Sequence, residues 1–304
     1  MSALRIGQIG WGTVGSAFGR LVAEGPMPFE LSRLAVRDAT RARDARLPGG
    51  VELVSPDEVA RDVDVVVELA GGTNGPARWA SATLEAGIPY VTANKALLAT
   101  CGGELAATAR RTGAALLASA SVGGGTPMIE TLSHLSAAGG VERIRGILNA
   151  TTNYILGRMG EGVTYDEALR EAQEAGYAEA DPSFDVDGRD AAQKLAILAS
   201  VAWRRWRAER EVETEGIAGL RAGGEHVRLV AGATPDRMTV APTAIEPGSA
   251  LATVEGIQNL LEIHVAGGSV IRISGPGAGG DVSARAVYAD VARIAAGERP
   301  VLFA

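Results

Sequence analysis

The sequence predicts an α/β protein: a doubly wound parallel sheet followed by a second, α+β domain. Three observations carry this. A glycine fingerprint, Gly10-Trp11-Gly12-Thr13-Val14-Gly15, stands between a short apolar run and a helical pattern near the start of the chain. Strand-length apolar runs then alternate with helical patterns as far as Ala118, the βαβ rhythm of a parallel sheet. Towards the C-terminus the rhythm changes to strands in hairpin-like succession, which suits an open mixed or antiparallel sheet.

Leu4–Gly10 is apolar and ends in glycine, as a buried strand does. In the fingerprint, Gly10 permits the tight turn, Gly12 lets the backbone approach a pyrophosphate, and Gly15 lets helix and strand pack closely. The helix that follows, Ser16–Ala23, offers its N-terminal amides and positive dipole end to phosphates. A Rossmann-like dinucleotide site is therefore expected, with Gly10, Gly12, Thr13, Val14 and Gly15 at the cofactor. Leu31–Val36 is the second strand and ends in Arg37-Asp38. An NAD site places an acid at this strand end. Here Arg37 comes first and Arg41 and Arg43 follow, a set able to hold a 2′-phosphate. NADP is expected, with NAD as the alternative.

Asp64–Leu69 is a continuous apolar run flanked by acids, as a buried parallel strand should be. Ala70-Gly71-Gly72 follows at its carboxyl end, where ligands bind in doubly wound sheets, so Ala70 and Gly71 join the cofactor set. Trp79–Gly87 is helical, Ile88–Thr92 a strand, Leu97–Thr100 and Leu105–Arg111 helical stretches, and Ala114–Ala118 a strand. Lys95 stands at the carboxyl end of its strand and points towards the same crevice.

Ala118–Pro127 is a loop with three successive glycines. Met128–Ser136 is a helix bridging the domains, with Thr126 as N-cap and Pro127 at the first helical position. Val141–Leu148 is a strand and Asn149–Asn153 a polar turn. Tyr154–Glu161 and Tyr165–Ala175 are helices, the second opened by Thr164 with Glu167 at capping-box spacing. Gly176–Leu198 then concentrates the acids Glu179, Asp181, Asp185, Asp187 and Asp190 ahead of an Ala/Leu/Ile-rich helix. Asp190 and Lys194 are four apart and share one face of that helix. Trp203–Arg210 is a solvated helix end balanced by nearby acids. Val227–Ala231, Met238–Ala241, Leu261–Val265 and Val270–Ile273 are strands, and Ser283–Ala295 is a helix that returns to the first domain. The expected division is 1–130 for the dinucleotide-binding domain, joined by 281–304, and 131–280 for a substrate-binding, catalytic and dimerisation domain.

Composition narrows the function. A formal net charge of −7 gives no basic face for nucleic acid or an anionic membrane. One cysteine, Cys101, excludes an intramolecular disulfide and a cysteine metal cluster. There is neither a signal-peptide start nor an apolar run long enough to span a bilayer, so a cytoplasmic protein is expected. His134, His226 and His264 lack metal-ligand spacing, and Lys194 stands where a calcium loop over Ser183–Lys194 requires Glu. Cys101, in a Thr-Cys-Gly-Gly turn with no histidine nearby, is a bystander. The chain has two lysines, Lys95 and Lys194, and otherwise uses arginine. A lysine can exchange a proton with an alcohol when burial or a neighbouring cation loosens its hold on that proton; arginine cannot. Glu179, Asp181 and Asp185 offer a cationic substrate group a carboxylate socket.

Together these motifs resemble homoserine dehydrogenase. The matching stretches are GWGTVG, VVVELAGG, TANKALLA, ASVGGGTPMI, GILNATTNYIL, GYAEADPSFDVDGRDAAQKLAIL and GPGAGG. The resemblance implies reversible NAD(P)-dependent interconversion of homoserine and aspartate 4-semialdehyde, on the route to threonine and methionine. It implies Lys194 as proton donor and acceptor at the substrate oxygen, oriented by Asp190. Lys95 would assist at that oxygen and near the nicotinamide, while Glu179 and Asp185 bind the substrate amino group. It further implies a homodimer through the second domain and a monovalent cation, sodium or potassium, held by the loop backbone at Val122 and Gly124. Three departures stand out. Ser119 replaces a common Glu, which puts the cation in question; Gly216–Val227 is shorter than usual; and no regulatory ACT domain or fused kinase is expected. Two other readings are a related oxidoreductase acting on another amino-acid-derived alcohol or aldehyde, and a cofactor-binding regulator without catalysis.

Overall fold

In the computed structural model, which describes residues 3–38, 47, 49–220 and 226–303, the apolar N-terminal run forms β1 (Leu4–Ile9) and leads into α1 (Thr13–Glu24). There follow β2 (Phe29–Ala35), β3 (Glu52–Leu53), β4 (Val65–Glu68), α2 (Asn74–Glu85), β5 (Tyr90–Thr92), α3 (Lys95–Thr112) and β6 (Leu116–Leu117). The six strands form one parallel sheet in the order β3-β2-β1-β4-β5-β6. Val65, Val66 and Val67 are wholly buried because a parallel sheet is covered on both faces. The strand order reverses between β1 and β4, so their carboxyl ends open a crevice where such sheets bind ligands.

The second sheet belongs to a separate unit, Thr126–Gly277. It contains α4 (Met128–Ala138), β7 (Val141–Ile147), α5 (Ala150–Gly160), α6 (Tyr165–Glu174), α7 (Ser183–Val186) and α8 (Arg189–Ala202). Strands β8 (Val212–Thr214), β9 (Val227–Ala233), β10 (Met238–Ala244), β11 (Gln258–Val265) and β12 (Val270–Pro276) complete it. The sheet order is β12-β11-β7-β9-β10-β8, antiparallel except for the β10–β8 pair. On β7 and β11 the buried Ile144, Leu261 and Ile263 alternate with Arg143, Arg145, Glu262 and His264, the period-two pattern of a sheet with one apolar face. The last helix, α9 (Gly280–Ala295), belongs with residues up to Gly125. It packs Ala284, Val287, Val291 and Ile294 with Ala17, Phe18 and Val22 of α1.

Five local expectations are corrected. Gly102-Gly103 does not divide two helices; α3 runs through it, because the surrounding Ala- and Leu-rich turns are buried and packed. Cys101 thus lies inside a helix, its Sγ donating to the Leu97 carbonyl at 3.2 Å, rather than in a turn. Thr126 does not cap α4; its hydroxyl donates to Pro276 O at 3.3 Å, and Pro127 occupies the cap position. Ala150–Asn153 is the first turn of α5 rather than a polar turn, because the Asn149 side chain caps it. The basic Trp203–Arg210 stretch lies beyond the end of α8, where Trp203 Nε1 donates to Val141 O at 3.0 Å. Arg41 and Arg43, and residues 221–225 of the shortened stretch, lie outside the described residues.

Glu262 is fully buried, and its carboxylate accepts Arg145 Nε at 2.6 Å and Arg272 Nε at 2.7 Å. Burial by itself raises a carboxyl pKa, but the hydrogen bonds and charges of Arg272 and Arg145 outweigh it and hold Glu262 below the ordinary 4.5. A folded-state pKa below the unfolded one gives stability that is complete above pH 4.5 and is lost as pH falls through the folded value. Glu262→Gln is therefore expected to cost about 1–2 kcal/mol at neutral pH, limited by the partial exposure of both arginines. Urea unfolding of parent and variant should show that difference shrinking on acidification; a pH-independent difference would contradict it.

Candidate cofactor and catalytic sites

A cavity of about 1390 Å³ opens at the carboxyl ends of β1, β2 and β4. Gly10, Gly12, Thr13, Arg37, Ala70 and Gly71 all line it. Gly10 has φ +99°, and a Cβ there would meet the Leu69–Ala70 backbone at 2.7–2.8 Å. A Cβ on Gly15 would run into Gly10 O, so this glycine serves packing. A Cβ on Gly12, by contrast, would meet nothing within 4 Å. The backbone at Gly12 faces open space, as a pyrophosphate requires. Helix α1 has neither a side-chain N-cap nor an acid in its first turn, so its first amides are left for an anionic ligand. The side chain of Val14 packs against the core, and Gly15, Val14 and Lys95 do not line the cavity.

Two buried side chains shape this site. Gln8, wholly buried, donates from Nε2 to Gly10 O at 2.8 Å and Gly15 O at 2.9 Å and so holds both ends of the fingerprint turn. Glu68, also wholly buried, accepts the Ala70 and Gly71 amides on Oε1 at 2.8 and 3.0 Å and the Thr92 hydroxyl on Oε2 at 2.7 Å. Thr92 Oγ1 accepts Asn94 N, and Asn94 Nδ2 donates to Gly72 O at 2.7 Å while its Oδ1 caps α3. Glu68 thus fixes both the Ala70–Gly72 turn and the helix end that begins with Lys95. Neither residue stood out in the sequence: Gln8 sits inside an apolar run, and Glu68 looked like a flanking acid.

The loop after β6 is anchored from α9. Ser119 donates its N–H to Asp290 Oδ2 at 2.9 Å and its hydroxyl to Oδ1 at 2.6 Å, and both residues are buried. Val122 is wholly buried. Gly124 has φ +59°, and a Cβ there would lie 3.3 Å from Ala278 Cα. Among the described residues no group of three or more His, Cys, Asp or Glu side chains is placed to hold a metal, so a cation here would have to use backbone carbonyls.

In the other unit the acidic segment folds as a short helix, α7, then a turn at Gly188, then α8. Gly188 is the N-cap of α8 with φ +80°, a conformation that favours glycine, and a Cβ would meet Thr214 Cγ2 at 3.0 Å. Every residue of α8 except Arg189 and Lys194 is buried. Lys194 Nζ donates to Asp190 Oδ2 at 2.8 Å and to Leu148 O at 2.8 Å. The two side chains are 12% and 8% exposed, which screens the pair little from the low-dielectric interior. An ammonium has three hydrogens. The third N–H of Lys194 has no partner among the described residues and is available to a substrate oxygen.

Asp185 joins this cluster through Asn149, whose Nδ2 donates to Asp185 Oδ1 at 2.7 Å and to Asp190 Oδ2 at 2.8 Å. Thr151 Oγ1 bonds Asp185 Oδ2 at 3.2 Å and Tyr177 O at 2.8 Å. Asn259 Nδ2 shares Leu148 O at 3.2 Å. Glu179 is exposed, and its backbone carbonyl accepts Gln173 Nε2 at 3.1 Å. Asp181 accepts the Ser183 amide at 3.1 Å, and hydrogen bonding from Ser183 holds its carboxyl below the ordinary aspartate value, as a loop-shaping acid. Burial, then the Glu104 charge, pushes the Cys101 thiol above its ordinary pKa, opposite to what a nucleophile needs. Asn149, Thr151 and Asn259 escaped sequence reasoning; the spacing of Asn149 before a helix of Ala-Thr-Thr-Asn was an N-cap signal that could have marked the first of them.

Comparison with known proteins bears on both sites. A family model described as homoserine dehydrogenase matches residues 127–292, and one described as the homoserine dehydrogenase NAD binding domain matches residues 10–119. The chain is 36% identical to the homoserine dehydrogenase of Corynebacterium glutamicum, over 95% of this chain and 71% of that protein. It is 38% identical to that of Synechocystis, over 96% and 73%. The crystal structure of the Thiobacillus denitrificans homoserine dehydrogenase superposes with a TM-score of 0.91 at 32% identity, covering 100% of this chain and 77% of that one. A hyperthermophilic archaeal homoserine dehydrogenase in complex with NADPH superposes with a TM-score of 0.87 at 28% identity, covering 98% and 99%.

The Glu68 network makes a testable demand on the cavity. Glu68→Gln keeps the size but leaves a buried NH₂ facing an amide or hydroxyl donor, so dinucleotide affinity is expected to fall about tenfold. Titration of NADPH fluorescence against parent and variant checks this; equal affinities would remove Glu68 from the site.

Proposed function

The chain belongs to the homoserine dehydrogenase family, and we propose that Lys194, fixed by Asp190 and the Leu148 carbonyl, moves the proton in its reaction. The protein is an NAD(P)-dependent oxidoreductase that interconverts L-homoserine and L-aspartate 4-semialdehyde. In the oxidative direction the alcohol loses a hydride to NAD(P)+ and a proton to the protein; reduction reverses both. When bound, the nicotinamide supplies or accepts that hydride.

The observation that carries the assignment is the third N–H of Lys194, left over when the first two are fixed. It would donate to the aldehyde oxygen as reduction proceeds and leave a neutral amine to take the alcohol proton in the reverse direction. Asp190 orients the lysine. Asp185, with an oxygen towards Asn149 and another near Thr151, is the anchor for the substrate ammonium, with Glu179 as the second acid from the acidic segment. Lys95, on the cofactor unit, assists at the substrate oxygen and near the nicotinamide.

On the cofactor side, Gly10, Gly12, Thr13, Val14 and Gly15 supply the fingerprint backbone, with Ala70 and Gly71 opposite. Arg37 at the cavity wall favours a 2′-phosphate, hence NADP over NAD. Residues up to Gly125 with Ala278–Ala304 form the cofactor unit, and Thr126–Gly277 the substrate unit. We further propose a homodimer through the substrate unit and a monovalent cation at the Val122 and Gly124 carbonyls. A place in threonine and methionine synthesis, in the cytoplasm, fits the substrate chemistry; among the described residues no helix is long and apolar enough to cross a membrane.

Following NADPH oxidation with aspartate 4-semialdehyde, the parent should turn over and Lys194→Ala should lose about 10²–10⁴-fold in kcat. Full activity in the variant would end the role given to Lys194. Arg37→Ala should raise KM for NADP about tenfold or more with little change for NAD; an unchanged NADP-to-NAD ratio would remove Arg37 from the phosphate site.

A further inference from the structure

Asn149 is 3% exposed and stands where β7 passes into α5. Its Oδ1 accepts the Thr152 N–H at 2.8 Å and the Thr152 hydroxyl at 2.9 Å, which makes it the cap of α5. A backbone N–H can only donate, so this contact decides which end of the amide is oxygen. The NH₂ end is thereby turned towards the acids. An amide nitrogen has two hydrogens. One goes to Asp185 Oδ1 at 2.7 Å and the other to Asp190 Oδ2 at 2.8 Å. That same Asp190 oxygen accepts Lys194 Nζ at 2.8 Å.

One nitrogen atom, held by the start of a helix, therefore spaces Asp185 from the Asp190–Lys194 pair. Asp185 lies on α7 and the pair on α8, two elements joined by the Gly188 turn. With no donor between them, two carboxylates would face each other in a largely buried site and separate. We propose that Asn149 is a positioning residue that sets the substrate length the enzyme accepts: it fixes the span from the ammonium anchor to the proton-transferring lysine. The proposal rests on the roles given above to Asp185 and Lys194. In L-homoserine three carbons separate the amino nitrogen from the reacting oxygen. A homologue with one more methylene puts its oxygen one carbon beyond the fixed third N–H of Lys194.

Asn149→Ser is the informative variant, because serine caps helices as well as asparagine does but cannot reach two carboxylates. The measurement is kcat/KM for oxidation of L-homoserine and of L-5-hydroxynorvaline with NADP, alongside NADPH affinity and melting temperature. The parent should favour homoserine by about 100-fold, a typical discrimination for one methylene. Asn149→Ser should lose about 100-fold with homoserine and less than about tenfold with the longer alcohol, narrowing the ratio at least about tenfold while NADPH affinity stays unchanged. An unchanged ratio, or equal losses with both alcohols, overturns the proposal. If the serine variant does not fold, Asn149→Asp keeps both size and cap. It should lose homoserine turnover at alkaline pH and regain part of it as the pH falls, when the introduced carboxyl, facing Asp185, Asp190 and Lys194, takes up a proton and can donate again. A parallel pH profile in parent and variant overturns the proposal. Lys194→Ala separates the two levels. Full turnover in that variant sinks the site assignment itself, whereas a dead Lys194→Ala with an unchanged ratio in Asn149→Ser sinks only the role of Asn149.

Discussion

The unit Thr126–Gly277 is arranged around one ion pair on a buried helix. Asp190 and Lys194 sit on α8, whose other residues apart from Arg189 are buried, and they meet at 2.8 Å. Taking two charges out of water costs several kcal/mol each, and their attraction offsets this only if further hydrogen bonds satisfy them. The surrounding fold supplies those bonds. Leu148 O, at the end of β7, takes one hydrogen of the lysine, and Asn149, the next residue, gives one to the aspartate. Both come from the junction of β7 and α5, so the strand end and the helix cap are where the pair needs them.

The cofactor unit uses the same device with different residues. A buried carboxylate, Glu68, collects two backbone amides and a hydroxyl at the end of a central strand. A buried amide, Gln8, donates to two carbonyls of the fingerprint turn. In both units a polar side chain buried at a strand end meets the backbone hydrogen-bonding needs of a turn that has no regular ladder to join. The result is a turn at each strand end whose backbone groups are held by buried side chains.

Much of this was legible in the sequence because it depends on local rules. The fingerprint, the apolar strands and the Thr164–Glu167 capping box follow from residue type and spacing, and the capping box forms as expected. Asp190 and Lys194 followed from helical periodicity. What escaped was the first turn of α5, since Ala-Thr-Thr-Asn resembles a polar turn until Asn149 is seen capping it. The continuity of α3 through Gly102-Gly103 escaped for a related reason: packing of the flanking turns overrides the low helix propensity of glycine.

By itself the sequence determined the family, the doubly wound cofactor domain and the places of the two lysines in the chain. Those are statements about chain order and local periodicity. Only the tertiary structure decided the partners. Asn149 reaches Asp185 and Asp190 across 36 and 41 residues, Ser119 reaches Asp290 across 171, and Glu68 reaches Thr92 across 24. No periodicity encodes such pairs. They exist because folding packs strand ends against one another and against helices, and a buried polar atom must take whichever partner that packing brings within reach.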